Sequence, residues 1–231
     1  PDIALAAFIV TAAPPIMSAP AFIALIGLDG ALSLALVGCG MLLTPITAPL
    51  IGGLLLGESL PIDAFALGLR LTGLLAASAG MALLIRRFAG NARVVGAKEH
   101  IDGLNVLILF IFAVAVMDGV AERFMAAPLF TLAVAALTFA VALTQMGVTL
   151  LVFSRVRRDQ GFVIGHAVGN RNMGLLVAAL GGTLPDLAWL YFGLGQLPIY
   201  LLPWLLKPLA NRIAADQAER DRDHGSAAPG G

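Results

Sequence analysis

Residues Ala127 to Phe153 read APLFTLAVAALTFAVALTQMGVTLLVF, 27 positions in a row without a charged side chain. The hydrocarbon core of a bilayer is about 30 Å thick, and about 20 apolar residues of helix cross it. Within lipid every backbone N–H and C=O must be satisfied, so only helices and closed barrels span. The run is too long and too continuously apolar for a barrel strand, which alternates. Similar runs lie on both sides. They divide the chain into segments 2–28, 31–57, 64–86, 103–121, 127–153, 161–184 and 187–209. The fold predicted is all-α: a polytopic membrane protein with about seven transmembrane helices forming one domain over 1–210. Residues 211–231 are polar and mixed in charge, and they read as a disordered cytoplasmic tail.

Composition agrees. Of 231 residues, 59 % are hydrophobic and 12 % charged, against about 25 % charged in soluble domains. A bilayer is the partner this implies. Fourteen basic residues balance fourteen acidic ones, which argues against a nucleic-acid partner. Cys39 is the sole cysteine, so an intramolecular disulfide and a cysteine metal cluster are excluded, and Cys39 reads as a small apolar packing residue. The chain opens on Pro1-Asp2 without a basic n-region or a small-residue cleavage site, so no signal peptide is expected. The absence of an initial Met leads to the expectation that the sequence is a fragment or a processed form.

Charge also sets an orientation. Numbering the loops by alternation, one face collects Arg86, Arg87, Arg93, Lys98, Arg155, Arg157, Arg158, Lys207, Arg212, Arg220 and Arg222. The other holds Glu58, Asp63, Asp118, Glu122, Arg123 and Asp186. The positive-inside rule makes the basic face cytoplasmic. A multi-pass protein of the inner or plasma membrane with its C-terminus inside is expected.

Two stretches repeat one pattern. A segment broken between Ala13-Pro14-Pro15 and Pro20 is followed by Asp29 and a helix carrying Pro45 and Pro49. A segment interrupted by Gly169-Asn170-Arg171-Asn172 is followed by Pro185-Asp186 and a helix carrying Pro198 and Pro203. The first members are five segments apart, so they run in opposite directions. Inverted repeats of secondary transporters have this form, with the substrate near the midplane where discontinuous helices expose their ends. The plainer alternative is that Pro and Gly are common in membrane helices.

Within these breaks Arg171 stands out. A charge near the middle of a span costs at least about 2.5–3.5 kcal/mol, so it should face protein or an aqueous cavity and have a partner. Its functional reading is a fixed positive charge for an anionic substrate or a carboxylate; its structural reading is a salt bridge or a snorkelling side chain. Asn172 at the same break, and more weakly Asn170, can bond a substrate, or can simply cap a helix or join two helices. His166 is a possible proton-coupling group, or an ordinary hydrogen-bonded histidine. Gln145 and Gln196 are isolated polar groups facing either a cavity or a neighbouring helix. Arg70 reads as a surface pair with Asp63. Trp189, Tyr191 and Trp204 read as an interfacial aromatic belt. There is no nucleophile–base pair, metal-ligand cluster or phosphate-cradling loop, so neither catalytic residues nor a metal site are expected, and an enzyme is not.

The stretch Gly165-His166-Ala167-Val168-Gly169-Asn170-Arg171-Asn172-Met173-Gly174-Leu175 resembles the crossing-helix motif of the bile acid:sodium symporter family, which reads roughly Glu-x-Gly-x-Gln-Asn-x-Gly-Leu. Ala13-Pro14-Pro15-Ile16-Met17-Ser18-Ala19-Pro20 falls where that family has its other crossing helix, roughly Pro-Gly-Gly-Thr-x-Ser-Asn. The resemblance implies a partial ten-helix inverted-repeat fold with two broken crossing helices, lacking the first three helices. It also implies a secondary carrier of a small organic anion working by alternating access. Ser18 and Ser33 then join Arg171, Asn172 and Asn170 as substrate-binding candidates. The family holds Na⁺ with oxygen ligands, and here most are replaced. Its Glu is Ala167, its Gln is Arg171, its Ser-Asn pair is Ala19-Pro20, and a Thr one turn beyond Ser33 is Val37. Na⁺ is therefore possible by resemblance alone, and no other cofactor is implied. The alternatives are a proton-coupled or uncoupled efflux carrier of related fold, and a non-transporting membrane scaffold or sensor.

Overall fold

The computed structural model describes residues 2–57, 63–153, 157–181 and 184–226. Glu58 and Arg155, used above to assign the faces, lie outside them, as do residues 227–231 of the tail. Among the described residues the fold is all-helical. It comprises α1 (Asp2–Ala12), α2 (Ala19–Leu25), α3 (Gly30–Leu56), α4 (Ala64–Ala89), α5 (Asn91–Gly96), α6 (Lys98–Ala126), α7 (Pro128–Phe153), α8 (Arg158–Gly169), α9 (Met173–Ala179), α10 (Asp186–Leu194), α11 (Gln196–Leu205) and α12 (Lys207–Ser226).

Helices α3, α4, α6 and α7 are each long and apolar enough to cross a membrane. A fifth span results if Asp186–Leu205 and Lys207–Gln217, bent by 46°, count as one. By length and composition the number is thus four or five, where the sequence leads one to expect seven. The difference lies in segments 2–28 and 161–184, each of which is a pair of short helices. The long helices also turn their apolar side chains outward. In their most apolar stretches only 17 %, 6 %, 13 % and 17 % of residues are buried, and Leu54, Phe88 and Leu129 are more than 80 % exposed. Water would penalise that surface heavily, and a lipid solvent accounts for it. Hydroxyls on these helices are satisfied internally. Thr44, Thr72, Ser78 and Thr149 each donate to the carbonyl four residues back, at 2.7–2.8 Å, as an apolar surrounding requires.

Helix starts follow local chemistry. The Asp29 carboxylate accepts from Leu32 N at 2.9 Å and starts α3, and that of Asp63 accepts from Phe65 N and Ala66 N and starts α4. Asp63 is therefore a helix cap and not the partner of Arg70. Arg70 Nη1 instead donates 3.3 Å to Ala179 O, the last residue of α9, where a cation suits the exposed carbonyls. Helix α8 packs along α7 with close backbone approach. A Cβ on Gly169 would lie 2.8 Å from Ala142 O, so only glycine lets the two backbones approach this far.

Contacts between separate helices join several of these ends. Arg123 of α6 forms an ion pair with Asp186 of α10. Ala210 of α12 shares a core cluster with Phe162 of α8. Three expectations need correcting. Composition makes 211–231 disordered, yet α12 continues to Ser226; Ala, Gln, Glu and Arg are strong helix formers even in polar sequence. Tyr191 is buried and Trp189 packs edge-on against Phe192 at a centroid distance of 5.6 Å, so both belong to the core. Trp204 is exposed. Cys39 is exposed, too, and does not pack inside the chain.

Candidate functional site

The two breaks touch. Ile16 N donates to Asn170 O at 2.9 Å and Asn172 N donates to Pro14 O at 2.8 Å. Pro15 and Arg171 thereby form an isolated antiparallel bridge. Both bonds come from the neighbours of the facing pair, which is the non-hydrogen-bonded position of an antiparallel ladder. Pro15 has no N–H to give and needs none there. The surrounding elements match in order and length. An 11-residue and a 12-residue helix (α1 and α8) lead into the breaks, and a 7-residue helix leaves each one (α2 and α9). Each short helix closes on a glycine with positive φ, Gly27 at 78° and Gly181 at 82°. The second halves differ: α3 runs unbroken for 27 residues through Pro45 and Pro49, whereas α10 and α11 are separate helices meeting at Gly195.

Arg171 sits at the meeting point. Its Nη1 donates to Ala13 O at 2.9 Å and its Nε donates to Val168 O at 2.9 Å. Those carbonyls lie where α1 and α8 end, which is where a helix leaves acceptors without internal partners and carries partial negative charge. One guanidinium thus serves both helix ends. The ion pairs among the described residues are Arg123–Asp186 and Arg157–Asp159, so no carboxylate neutralises Arg171 there. A charge half-buried between helices is held by carbonyl dipoles alone, and Nη2 has no protein partner among the described residues.

A cavity of about 630 Å³ opens beside this junction, and Arg171, Asn172, Ser18, His166 and Gln196 contribute to its wall. The rest of the wall is largely apolar, with Phe22, Phe112 and Ile199 prominent. Its size lies within the range of sites for small organic ligands, and a mostly apolar wall with a few converging polar groups is their usual make-up.

No protein-family model matches the chain, and no curated protein matches it.

The positions expected from the sequence divide. Ser18, Arg171, Asn172 and His166 line one cavity. Asn170 does not; it is buried, with Nδ2 donating to His166 O at 3.0 Å and Oδ1 lacking a partner among the described residues. Ser33 is fully buried, its Oγ has no partner among the described residues, and it is absent from the cavity wall. Of the two isolated glutamines, Gln196 reaches the cavity, while Gln145 has a buried Oε1 elsewhere with no partner among the described residues. Phe22, Phe112 and Tyr200 also line the cavity. Their sequence context, apolar helix, gives no sign of this.

At the positions where the resemblance would put Na⁺ ligands, most side chains carry no oxygen. Ala167, Val37 and Ala19 offer methyl groups, and one carbonyl at each of the ends of α1 and α8, Ala13 O and Val168 O, accepts from the guanidinium. A hard cation needs several oxygens around it.

Proposed function

We propose that the protein is a secondary membrane carrier that moves a small organic anion by alternating access, in the manner of the bile acid:sodium symporter type but without Na⁺ at that family's positions. The observation that carries the reading is Arg171. Its guanidinium lies at the contact of two broken helices, borders a cavity of about 630 Å³, and has no carboxylate partner among the described residues. A half-buried cation without a counter-ion can serve as a binding group for an anion. On this reading the seven apolar segments all lie in the membrane, the two broken ones crossing each other near its centre.

The purified full chain in detergent is expected to gain thermal stability with small carboxylates and not with the corresponding neutral amides. Equal response to acid and amide, or none to either, contradicts the reading. A second reading has its own support. The two carbonyls bonded by Arg171 are also what a purely structural tie would engage, as in a scaffold or sensor that does not transport. It predicts no stabilisation by any anion.

The same proposal places the Arg86–Lys98 stretch and the C-terminus in the cytoplasm, since most Lys and Arg lie there. In a Cys39→Ala background, a cysteine at position 93, which is exposed on α5, should resist membrane-impermeant maleimide in intact cells and react after permeabilisation. Reaction in intact cells reverses the orientation.

A further inference from the structure

We propose that the elbow formed by the end of α4, by α5 and by the start of α6 binds an anionic glycerophospholipid, with its phosphate among Arg87, Arg93 and Lys98 and one acyl chain along α4. The proposal stands apart from the carrier reading and needs only that the chain lies in a bilayer. The stretch from Arg86 to Lys98 reads RRFAGNARVVGAK, with four basic residues and no acidic one. The 26 residues of α4 rise about 39 Å, and the hydrocarbon core is about 30 Å thick, so a crossing α4 carries its last turn into the headgroup layer. Arg86 and Arg87 lie in that turn. The chain then bends at Gly90, where φ is 83°, runs through α5, which touches both neighbours, and enters α6 at Lys98. Basic residues of three helices are thereby gathered at one end of the molecule.

These charges are differently engaged. Arg86 is occupied: its Nε and Nη2 donate to Asn91 Oδ1 at 3.3 and 2.8 Å, which ties α4 to the start of α5. Arg87, Arg93 and Lys98 are exposed, and neither ion pair among the described residues includes them. Lys98 stands in the first turn of α6, whose N-terminus has no side-chain cap. A cation there opposes the helix dipole, and an anion beside it relieves the opposition. Beside these charges, Met81, Leu84, Ile85, Phe88 and Ala89 line a shallow apolar groove of about 440 Å³. Their spacing sets them on one face of α4, and Phe88 is 81 % exposed. Arg87 follows Leu84 by three positions, so it flanks the groove. An anionic lipid matches this order, with charge at the helix end and hydrocarbon along the helix before it. A soluble phosphate would leave the groove unfilled, and a zwitterionic lipid would leave the excess positive charge unmatched. A second copy docked face to face would set like charges together.

Titration of thermal stability tests this on the purified full chain in neutral detergent, with dioleoylphosphatidylglycerol, dioleoylphosphatidylcholine and soluble glycerol 3-phosphate as probes. The two lipids carry the same chains and differ in headgroup charge. Each basic residue near a membrane surface favours an anionic lipid by about fivefold. Phosphatidylglycerol should therefore bind at least about tenfold more tightly than phosphatidylcholine, and glycerol 3-phosphate should give no shift. Arg87→Gln/Arg93→Gln/Lys98→Gln should bring the two lipids within about twofold of each other. It should also keep the response to phosphatidylcholine, which shows that the variant is folded. A control removes three exposed basic residues elsewhere, Arg158→Gln/Lys207→Gln/Arg212→Gln. It lowers the net charge equally and should retain the preference. Equal affinity for the two lipids in the unmodified protein overturns the proposal. So does a preference that survives the first triple variant, a preference lost equally in both, or a shift with glycerol 3-phosphate as large as with phosphatidylglycerol. All of these outcomes leave the Arg171 reading in place.

Discussion

Arg171→Gln is expected to weaken binding of the best carboxylate roughly tenfold to 150-fold, the equivalent of losing about 1.5–3 kcal/mol for a hydrogen bond to a charged group. The argument starts from the geometry. Nη1 and Nε are committed to Ala13 O and Val168 O at 2.9 Å each, so the guanidinium is fixed before a ligand arrives. A pre-organised planar cation offers a carboxylate directed bonds at little cost in side-chain order. Glutamine removes the charge. Lysine keeps it but loses the planar fork, so Arg171→Lys should retain binding within about tenfold of the native protein. Thermal-shift titration of the three proteins reads all of this. The ligand-free melting temperature serves as a separate observable, because glutamine cannot bond both carbonyls as arginine does. If Arg171 is only a structural tie, that temperature falls while no acid distinguishes the variants.

Much of this arrangement is written locally. A helix at Pro128–Phe153 follows from an uncharged run that water would not tolerate. Breaks at Pro14-Pro15 and at Gly169–Asn172 follow from residues that leave the helical ladder. Other features escape a one-dimensional reading for definite reasons. Helix α6 begins at Lys98 and not near 103, because hydrophobicity marks where lipid begins and a helix can extend beyond it. The tail misleads for the converse reason: its polarity signals lack of a core, but its Ala, Glu, Gln and Arg content favours helix. Arg70 sits seven residues from Asp63 and looks like its partner. The carbonyl it meets, on Ala179, is over a hundred residues away, and nothing local indicates it. Ser33 is a polar residue near a broken helix, as Ser18 is, yet only Ser18 reaches the cavity. Contact across helices decides between them. Phe22 and Phe112 show the same limit, since a cavity wall and a core contact demand the same kind of side chain.

The second large effect concerns coupling. A Na⁺ placed 4 Å from the Arg171 guanidinium is repelled by about 4 kcal/mol at an effective dielectric near 20, which lowers its affinity by roughly a factor of 1,000. Ala13 O and Val168 O, natural oxygen donors at the ends of α1 and α8, already bond the side chain. On the proposed carrier reading a tethered cation takes the place of a mobile one, and transport should proceed without sodium. Uptake of the best-binding carboxylate into proteoliposomes tests this most directly, with the native protein and Arg171→Gln each assayed under an inward sodium gradient, an inward proton gradient, and no gradient. The account predicts uptake by the native protein that changes less than about twofold on removing sodium, and that is lost in Arg171→Gln under all three conditions; a twofold rate change corresponds to only about 0.4 kcal/mol. Uptake that requires the sodium gradient and is unchanged by Arg171→Gln would contradict it.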